Sequence, residues 1–457
     1  MASQLKKTVM PSGGDYTSLE ACMNANEQNL VTADKYFDVE IDGTWSSADT
    51  SAVNIYNYTT DATRYINIYT TSAARHHGVY STSYYMIKLV NNDYYQTTVS
   101  MGNNYTILDG VQIDSTANYH GGTCIGDNAS DGNSYLTIKN CLLKIYKGGE
   151  SIGGNRCGIN FVYRIGGCKV YNNFIYAMGQ NSGSDGIFGI YVIQYSGEQG
   201  YVYNNTFYFS DCINVTGILC HSGMHLRNNL VMGATTCYSG TPHSDSTNNL
   251  ASDTTTPEYN TYYDSKAITF IDGANGDLHL ASGDTDAIDK GTSSVDSLFT
   301  DDIDGVTRTG TWDIGADEYG VGYPKYTKQD IITLPAADTD LSGTFSAQNY
   351  TDVSSDNDQY VDQISNGQYA MFLFKDQYTF QSNITVTWIG KSDRAPSTSL
   401  VKLQIYDRDG TTWEDLDEEN GVGAGTEFTL TGTITSDLDH YYDADFVISC
   451  RVYQQAI

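Results

Sequence analysis

The sequence predicts an all-β protein in two parts, a right-handed parallel β-helix followed by a C-terminal antiparallel β-sandwich. Three observations predict it. Short apolar runs that enclose a polar pair recur through the middle of the chain, and glycine-led runs recur between them with a similar step. Beyond about residue 366 the pattern changes to apolar–polar alternation of period two. Composition agrees: of 457 residues 38 are Tyr, 14 Phe and 44 Gly, with only 6 Pro, the mixture of strand formers and tight turns expected of an all-β chain.

At the N-terminus, residues 1–9 read as a short arm carrying Leu5, Lys6 and Lys7. The solenoid is expected over residues 10–319. It opens with Gly13-Gly14-Asp15-Tyr16-Thr17-Ser18-Leu19, where cap chemistry precedes helically spaced apolar residues through Met23, so a short helix is expected to cover the first coil. The repeat then emerges in the pairs Asp109-Gly110, Lys139-Asn140, Asn172-Asn173, Asn204-Asn205 and Asn228-Asn229, whose second members step by 30, 33, 32 and 24 residues. Gly158, Gly189 and Gly217 lead the intervening runs and precede the next pair by 15, 16 and 12 residues. Two interleaved series imply coils of two or three short strands stacked at the strand spacing of about 4.8 Å. Stacking places Asn140, Asn173, Asn205 and Asn229 in one file, where side-chain amides can hydrogen-bond from coil to coil. From about Thr235 to Thr256 the loops are rich in Thr, Ser and Asp, and the coils are expected to become irregular.

The chain then carries Asp286-Ala-Ile-Asp289-Lys-Gly291, Asp302-Ile-Asp304-Gly305-Val-Thr-Arg308 and Trp312-Asp313-Ile-Gly315-Ala316-Asp317-Glu318-Tyr319. These resemble the closing segment of many bacterial and metagenomic parallel β-helix proteins. The opening Gly-Gly-Asp-Tyr-Thr-Ser-Leu resembles the first coil of pectate-lyase-like and phage tailspike β-helices. The resemblance spans roughly residues 8–319 and bears on fold more than activity, because this scaffold carries lyases, hydrolases and inert fibres alike. It implies a structural role for Arg308, paired with Asp304, Asp313 or Glu318.

Residues 320–365, which contain a Tyr/Lys/Pro stretch and then an Asp-rich one, are expected to be a linker. Residues 366–457 hold five alternating runs, among them Tyr369–Phe374, Ile384–Trp388 and Val401–Ile405, with Asp407-Arg-Asp409-Gly410 as a hairpin turn. This pattern predicts a β-sandwich, and it is similar to the small jelly-roll-like modules of other phage and uncultured-bacterial β-helix proteins.

With 24 Lys+Arg against 55 Asp+Glu the net charge is −31, which disfavours nucleic acid and anionic lipid as partners. No run approaches the apolar length of a membrane span. The nine cysteines lack metal-ligand spacing and several sit inside apolar runs, so free core thiols are expected, with no metal centre. Met1–Pro11 contains no apolar signal core, and assembly into a particle inside the host followed by lysis is an expected route outward.

Chemistry on a β-helix comes from stacked turns. One lateral column is expected to hold Asp114, Glu150, Asp185 and Asp211; the opposite turn offers Asp127, Asp131, Glu198 and His221. Paired carboxylates on one face suit glycoside hydrolysis or, as the alternative, a bridging Ca²⁺; Asp in turns also serves its own backbone, which requires neither. His221, His225 and Arg227 form a basic cluster that offers a base and a neutralising cation for β-elimination, or simply a solvated strand edge. Trp388, Trp413, Tyr378 and Tyr406 offer a sugar-stacking platform, or ordinary core packing. The reading that joins these is a homotrimeric virion spike or fibre that binds host surface polysaccharide and other virion proteins. A polysaccharide lyase or glycoside hydrolase on the same scaffold, and a secreted or cell-surface bacterial adhesin, are the alternatives.

Overall fold

The structure is a computed structural model that describes residues 2–455 apart from 92–95, 118–120, 128–134, 148–153, 162–165, 180–185, 193–198, 259–261, 282, 296, 320–324, 354–358, 365–367, 378–382 and 444–446. The chain divides into two compact units, Met1–Tyr319 and Gly320–Ile457. No helix among the described residues is long and apolar enough to cross a membrane.

The first unit is built on three parallel sheets of eight, seven and seven strands, with a two-stranded antiparallel pair, Phe270–Asp272 and Asp277–Leu280, in its closing segment. The chain visits them in rotation: Thr106–Asp109 in the first sheet, Gln112–Ala117 in the second, Gly122–Asp127 in the third, then Thr137–Lys139 back in the first. Successive circuits are in register, with Ile107, Thr137, Lys169, Tyr201 and His225 aligned along the first sheet. This arrangement of stacked parallel strands is compatible with a parallel β-helix. Inward-facing Ile68, Leu108, Ile138, Val170, Val202 and Leu226 fill a continuous core with residues of the other two sheets.

From the strand Thr106–Asp109 onward only two residues separate the first sheet from the second, so the chain must bend sharply there. Gly110, Asn140, Asn172, Asn204, Asn228 and Asn248 occupy that bend with φ between +47° and +77°. Asn is the non-glycine residue best suited to this left-handed conformation. The following position carries the ladder. Asn173 Nδ2 donates to Asn205 Oδ1 (2.9 Å), Asn205 Nδ2 to Asn229 Oδ1 (3.0 Å) and Asn229 Nδ2 to Asn249 Oδ1 (2.9 Å), each side chain being fully buried. Glu258 ends the file by accepting the Asn249 backbone N–H at 2.6 Å. The expected file is therefore displaced by one residue at its start. Asn140 belongs with Asn172 at the bend, and Cys141 takes the ladder position, its N–H donating to Asn173 Oδ1 at 2.9 Å. The glycine series has its own cause. Gly158, Gly189 and Gly217 stack on adjacent third-sheet strands, where a Cβ on each would lie 2.5–2.7 Å from the carbonyl oxygen of the next circuit.

The expected arm is the first strand of the eight-stranded sheet. Ser3–Val9 pairs in parallel with Lys35–Ile41, and the lysines that suggested a free arm are engaged, Lys6 with Glu40 (2.7 Å) and Lys7 with Asp15 (3.3 Å). A helix over Leu19–Ala25, capped by Ser18, buries Leu19, Cys22 and Met23 against the core. Residues 235–256 also depart from expectation. They form a further, shortened circuit in which Thr236–Gly240 joins the third sheet, Asn248 and Asn249 continue the bend and ladder, and Leu250–Ala251 joins the second.

After that circuit the chain turns back over the outside. Leu278, Ile303 and Ala316 pack on outward-facing Leu142, Phe174 and Tyr176 of the second sheet, while Val295, Phe299 and Trp312 pack on Tyr171 and Tyr203 of the first. The closing segment thus covers much of two outer faces.

The second unit is antiparallel. Its six-stranded sheet runs in the spatial order Gly343–Thr344, Lys325–Ile331, Tyr369–Gln377, Val447–Gln455, Val401–Asp407, Thr412–Glu419. A second sheet, Ile384–Lys391 with Glu427–Ile434, packs over one face through Val386, Trp388, Phe428 and Leu430. The stretch 320–365, expected as linker, supplies Lys325–Ile331 to the larger sheet, paired with Tyr369–Lys375 along seven positions. Its alternation is masked in sequence because Lys328 and Asp330 share the strand with Thr327 and Ile331. All nine cysteines are free, and eight are buried.

Candidate functional site

Of the expected lateral column, the two described acids, Asp114 and Asp211, do not line up. Asp114 lies within the second-sheet strand, 4% exposed, 3.2 Å from Lys88, and its neighbours in register are Lys88 and Lys144, followed by Tyr176 and Tyr208. Asp211 instead follows the end of strand Thr206–Ser210 in an exposed turn at φ +54°. Spacing misled here because the two acids fall at different depths of their circuits. Glu150 and Asp185 lie outside the described residues, as do Asp131 and Glu198 of the opposite turn; Asp127 is 1% exposed. The face that holds Asp114 is moreover roofed by the closing segment and by Tyr80 of the loop before Met86–Asn91, which stands edge-on to Tyr176 at 5.7 Å.

The C-terminal aromatics do not form one platform. Trp388 packs with Val401, Leu403 and Val452, whereas Trp413 packs with Met371, Leu373 and Tyr453. Val452 and Tyr453 are consecutive in a strand, so the two indoles serve opposite faces of the larger sheet. Tyr406 is buried against Trp413, whose ring is stacked by the Arg451 guanidinium at 4.2 Å. Tyr378 lies outside the described residues.

The basic cluster is rearranged rather than absent. His221 separates from it and contacts the Val192 carbonyl through Nε2 at 3.0 Å. His225 and Arg227, on the last first-sheet strand, are neither solvated nor unpaired, because the extra circuit lays His243 and Asp245 beside them. Asp245 Oδ1 lies 2.7 Å from Nδ1 of both His225 and His243, and its Oδ2 accepts from Arg227 Nη2 at 2.7 Å. The His225 ring stacks on His243 (4.1 Å) and on Tyr201 (5.1 Å). Burial holds the His225 pKa below the usual imidazole range; the histidine contacts and the Arg227 charge hold Asp245 low despite its partial burial. His243 and Asp245 carried no motif, and only the fold brings them here.

The third sheet presents the outer face that no apolar cluster of the described residues roofs. Because the glycine column interrupts alternation, Phe188 and Tyr191 both point outward, half-buried, with ring centroids 4.3 Å apart and planes tilted by 49°. Asn160, in register with Tyr191, keeps its side-chain carbonyl oxygen without a hydrogen-bond partner. Thr216 aligns with Phe188 on the next circuit. Sequence reasoning passed over this pair because Phe188 and Tyr191, three apart, do not fit a strand's period of two.

A buried ionic network lies in the closing segment of the first unit. Arg308, its side chain inaccessible, donates to Glu318 Oε2 (2.9 Å) and to the carbonyls of Ala316 (2.7 Å) and Gly315 (3.1 Å). Of its three expected partners, Glu318 is the one it pairs with. His279 is clamped between Asp277 (2.5 Å) and Asp304 (2.8 Å), and these carboxylates raise its pKa well above the usual range although burial opposes them. Burial pushes Asp317 up to about 6, and burial with the nearby Glu318 pushes Asp313 up to about 8. Acids with raised pKa hold protons in the folded state that the unfolded state releases from about pH 4, so folding loses stability between about pH 4 and 6 for Asp317 and between about pH 4 and 8 for Asp313, with no further loss above those values. The His279 contribution is complete below about pH 6.5 and is likewise lost as pH rises through its elevated value. The first unit should therefore melt at progressively lower temperature from pH 6 to pH 9 in scanning calorimetry; a flat or rising midpoint over that window contradicts this network.

These features define an all-β protein with stacked parallel sheets and an antiparallel C-terminal unit. The family described as "Uncharacterized protein, C-terminal domain" matches residues 324–456, which span the second unit from its first strand to its last. No curated protein and no solved structure matches the chain.

Proposed function

We propose that residues 1–319 form a right-handed parallel β-helix and that the outer face of its third sheet binds carbohydrate. Handedness follows from the general preference of parallel-to-parallel connections within one sheet for a right-handed path. The Phe188–Tyr191 pair carries the binding assignment. Sugar rings present apolar C–H faces to aromatic side chains and hydroxyls to amides, and this face offers two half-exposed rings beside Asn160 and Thr216. Attachment to a virion surface, a homotrimeric state and host polysaccharide as the partner complete this reading on the strength of the resemblance to phage tailspikes.

Phe188→Ala combined with Tyr191→Ala should weaken binding to bacterial surface polysaccharide at least tenfold in a glycan-array or calorimetric titration, with the thermal midpoint little changed. Unaltered binding would remove the site from this face. Incubation of the wild type with acidic polysaccharide addresses the catalytic alternative, since new reducing ends or unsaturated-uronate absorbance would mark a hydrolase or lyase. Light scattering that returns a monomer at micromolar concentration would exclude the trimer.

A further inference from the structure

We propose that His225, His243 and Asp245 bind a divalent transition ion of the zinc class, at a site independent of the carbohydrate face. Their convergence is a product of the extra circuit. The His243 N–H donates to the Met224 carbonyl (2.8 Å), the Leu226 N–H to Ser246 Oγ (3.1 Å), and Thr247 bridges Arg227 in parallel. The stretch 243–247 is thereby fastened along the strand Met224–Arg227, and His243 and Asp245 stand over His225.

The donor atoms converge. Nδ1 of both imidazoles points at the same Asp245 oxygen, 2.7 Å from each, and one ligand atom from each of the three residues lies within 4.8 Å of the other two. Zinc bonds to nitrogen and oxygen of about 2.0–2.2 Å place tetrahedral ligand atoms about 3.3 Å apart. Each contact therefore has to open by only about half an ångström. The His225 side chain is 6% exposed and stays fixed, whereas those of His243 and Asp245 are 35% and 39% exposed and can move outward. That open side leaves a fourth position for water.

The surroundings support a bound ion. Arg227 holds the second Asp245 oxygen at 2.7 Å and is itself anchored on the Ser294 carbonyl (2.5 Å) and over the Tyr203 ring (5.4 Å), so the carboxylate is oriented from outside the ligand set, as metal sites require. His225 meets the cluster through Nδ1. Two imidazole nitrogens and one carboxylate suit zinc, iron, nickel or copper, whereas Ca²⁺ requires six to eight oxygens. The other compact His/Asp group, His279 with Asp304 and Asp317, offers a single imidazole, and the side chains of His279 and Asp304 are only 3% and 9% exposed, which leaves little room for its ligands to open.

Titration of the chelator-stripped full chain with zinc chloride should give one ion per chain, and Co²⁺ should give the visible absorption of a low-coordinate nitrogen–oxygen site. His243→Ala and Asp245→Ala should each lower zinc affinity at least 100-fold, and a 100-fold excess of Ca²⁺ should not compete. His225 is buried and its removal endangers folding, so the two exposed ligands carry the test, with His440→Ala as a surface-histidine control that retains binding. Absence of zinc binding in the wild type, or equal affinity in the wild type and both variants, overturns the assignment. Neither result bears on sugar binding at Phe188 and Tyr191.

Discussion

Replacing Arg308 by Met should destabilise the first unit by about 3–5 kcal/mol, the usual consequence of removing one partner from a buried ion pair. The side chain makes one charged contact, to Glu318, and further bonds to the carbonyls of Gly315, Ala316, Asp317 and Asp301 and to Asn172 Oδ1. Met fills much of the volume but leaves Glu318 as a buried charge among Asp302, Asp313 and Asp317. Glu318 Oε2 retains the Asp313 N–H, at 2.9 Å, and loses its one cation. Lysine should recover part of the loss through its charge and not the whole, because it cannot reproduce the planar fork that serves several carbonyls at once. Urea unfolding followed by near-ultraviolet circular dichroism measures this, and a midpoint within 1 kcal/mol of the wild type would show that the closing segment is held by apolar packing alone.

Asn205→Leu should cost a comparable amount, about 3–5 kcal/mol, from several unsatisfied buried groups at about 1–3 kcal/mol each, part of which the backbone recovers by relaxing. Asn205 Oδ1 accepts from both the backbone and the side chain of Asn173, and its Nδ2 donates to the Val170 and Tyr203 carbonyls as well as to Asn229. Leucine abolishes all of these in a position with no access to water. The loss should be local at first, with amide exchange at Asn173 and Asn205 accelerating before the outer circuits open. By contrast, replacement of Asn204, which serves the bend, should be tolerated best by glycine, because φ there is +47°. If Asn205→Leu unfolds at the wild-type denaturant concentration, the ladder is incidental to stability.

The two asparagines of each pair illustrate how far a repeat can be read. Their recurrence marks the stacking of circuits, but which of the two bends the chain and which bonds to the next circuit depends on backbone conformation. That is why Asn140 reads as a ladder residue and is found at the bend. The glycine series was legible as a period and not as a cause; the cause is the approach of a carbonyl from the neighbouring circuit at Gly158, Gly189 and Gly217.

Site residues were less legible for a related reason. The lateral acids Asp114 and Asp211 have the right spacing in sequence, yet circuits differ in length, so equal spacing does not place side chains at equal depth. His225 and Arg227 were visible as a basic pair, but the residues that neutralise and complete them, His243 and Asp245, lie in a Thr- and Ser-rich stretch without apolar periodicity. Its backbone follows the preceding circuit through hydrogen bonds that any sequence can make.

The amino-acid sequence alone established the all-β class, the change of pattern between the two units, the stacking period and the buried, unpaired state of most cysteines, because each rests on side-chain type and local periodicity. The tertiary structure decided which outer faces are roofed, where Arg308 and His279 find their partners, and which histidines meet Asp245. Those outcomes depend on long-range contacts, such as Asn172 with Arg308 across 136 positions, and a chain cannot encode the partner of such a contact in the residues beside it.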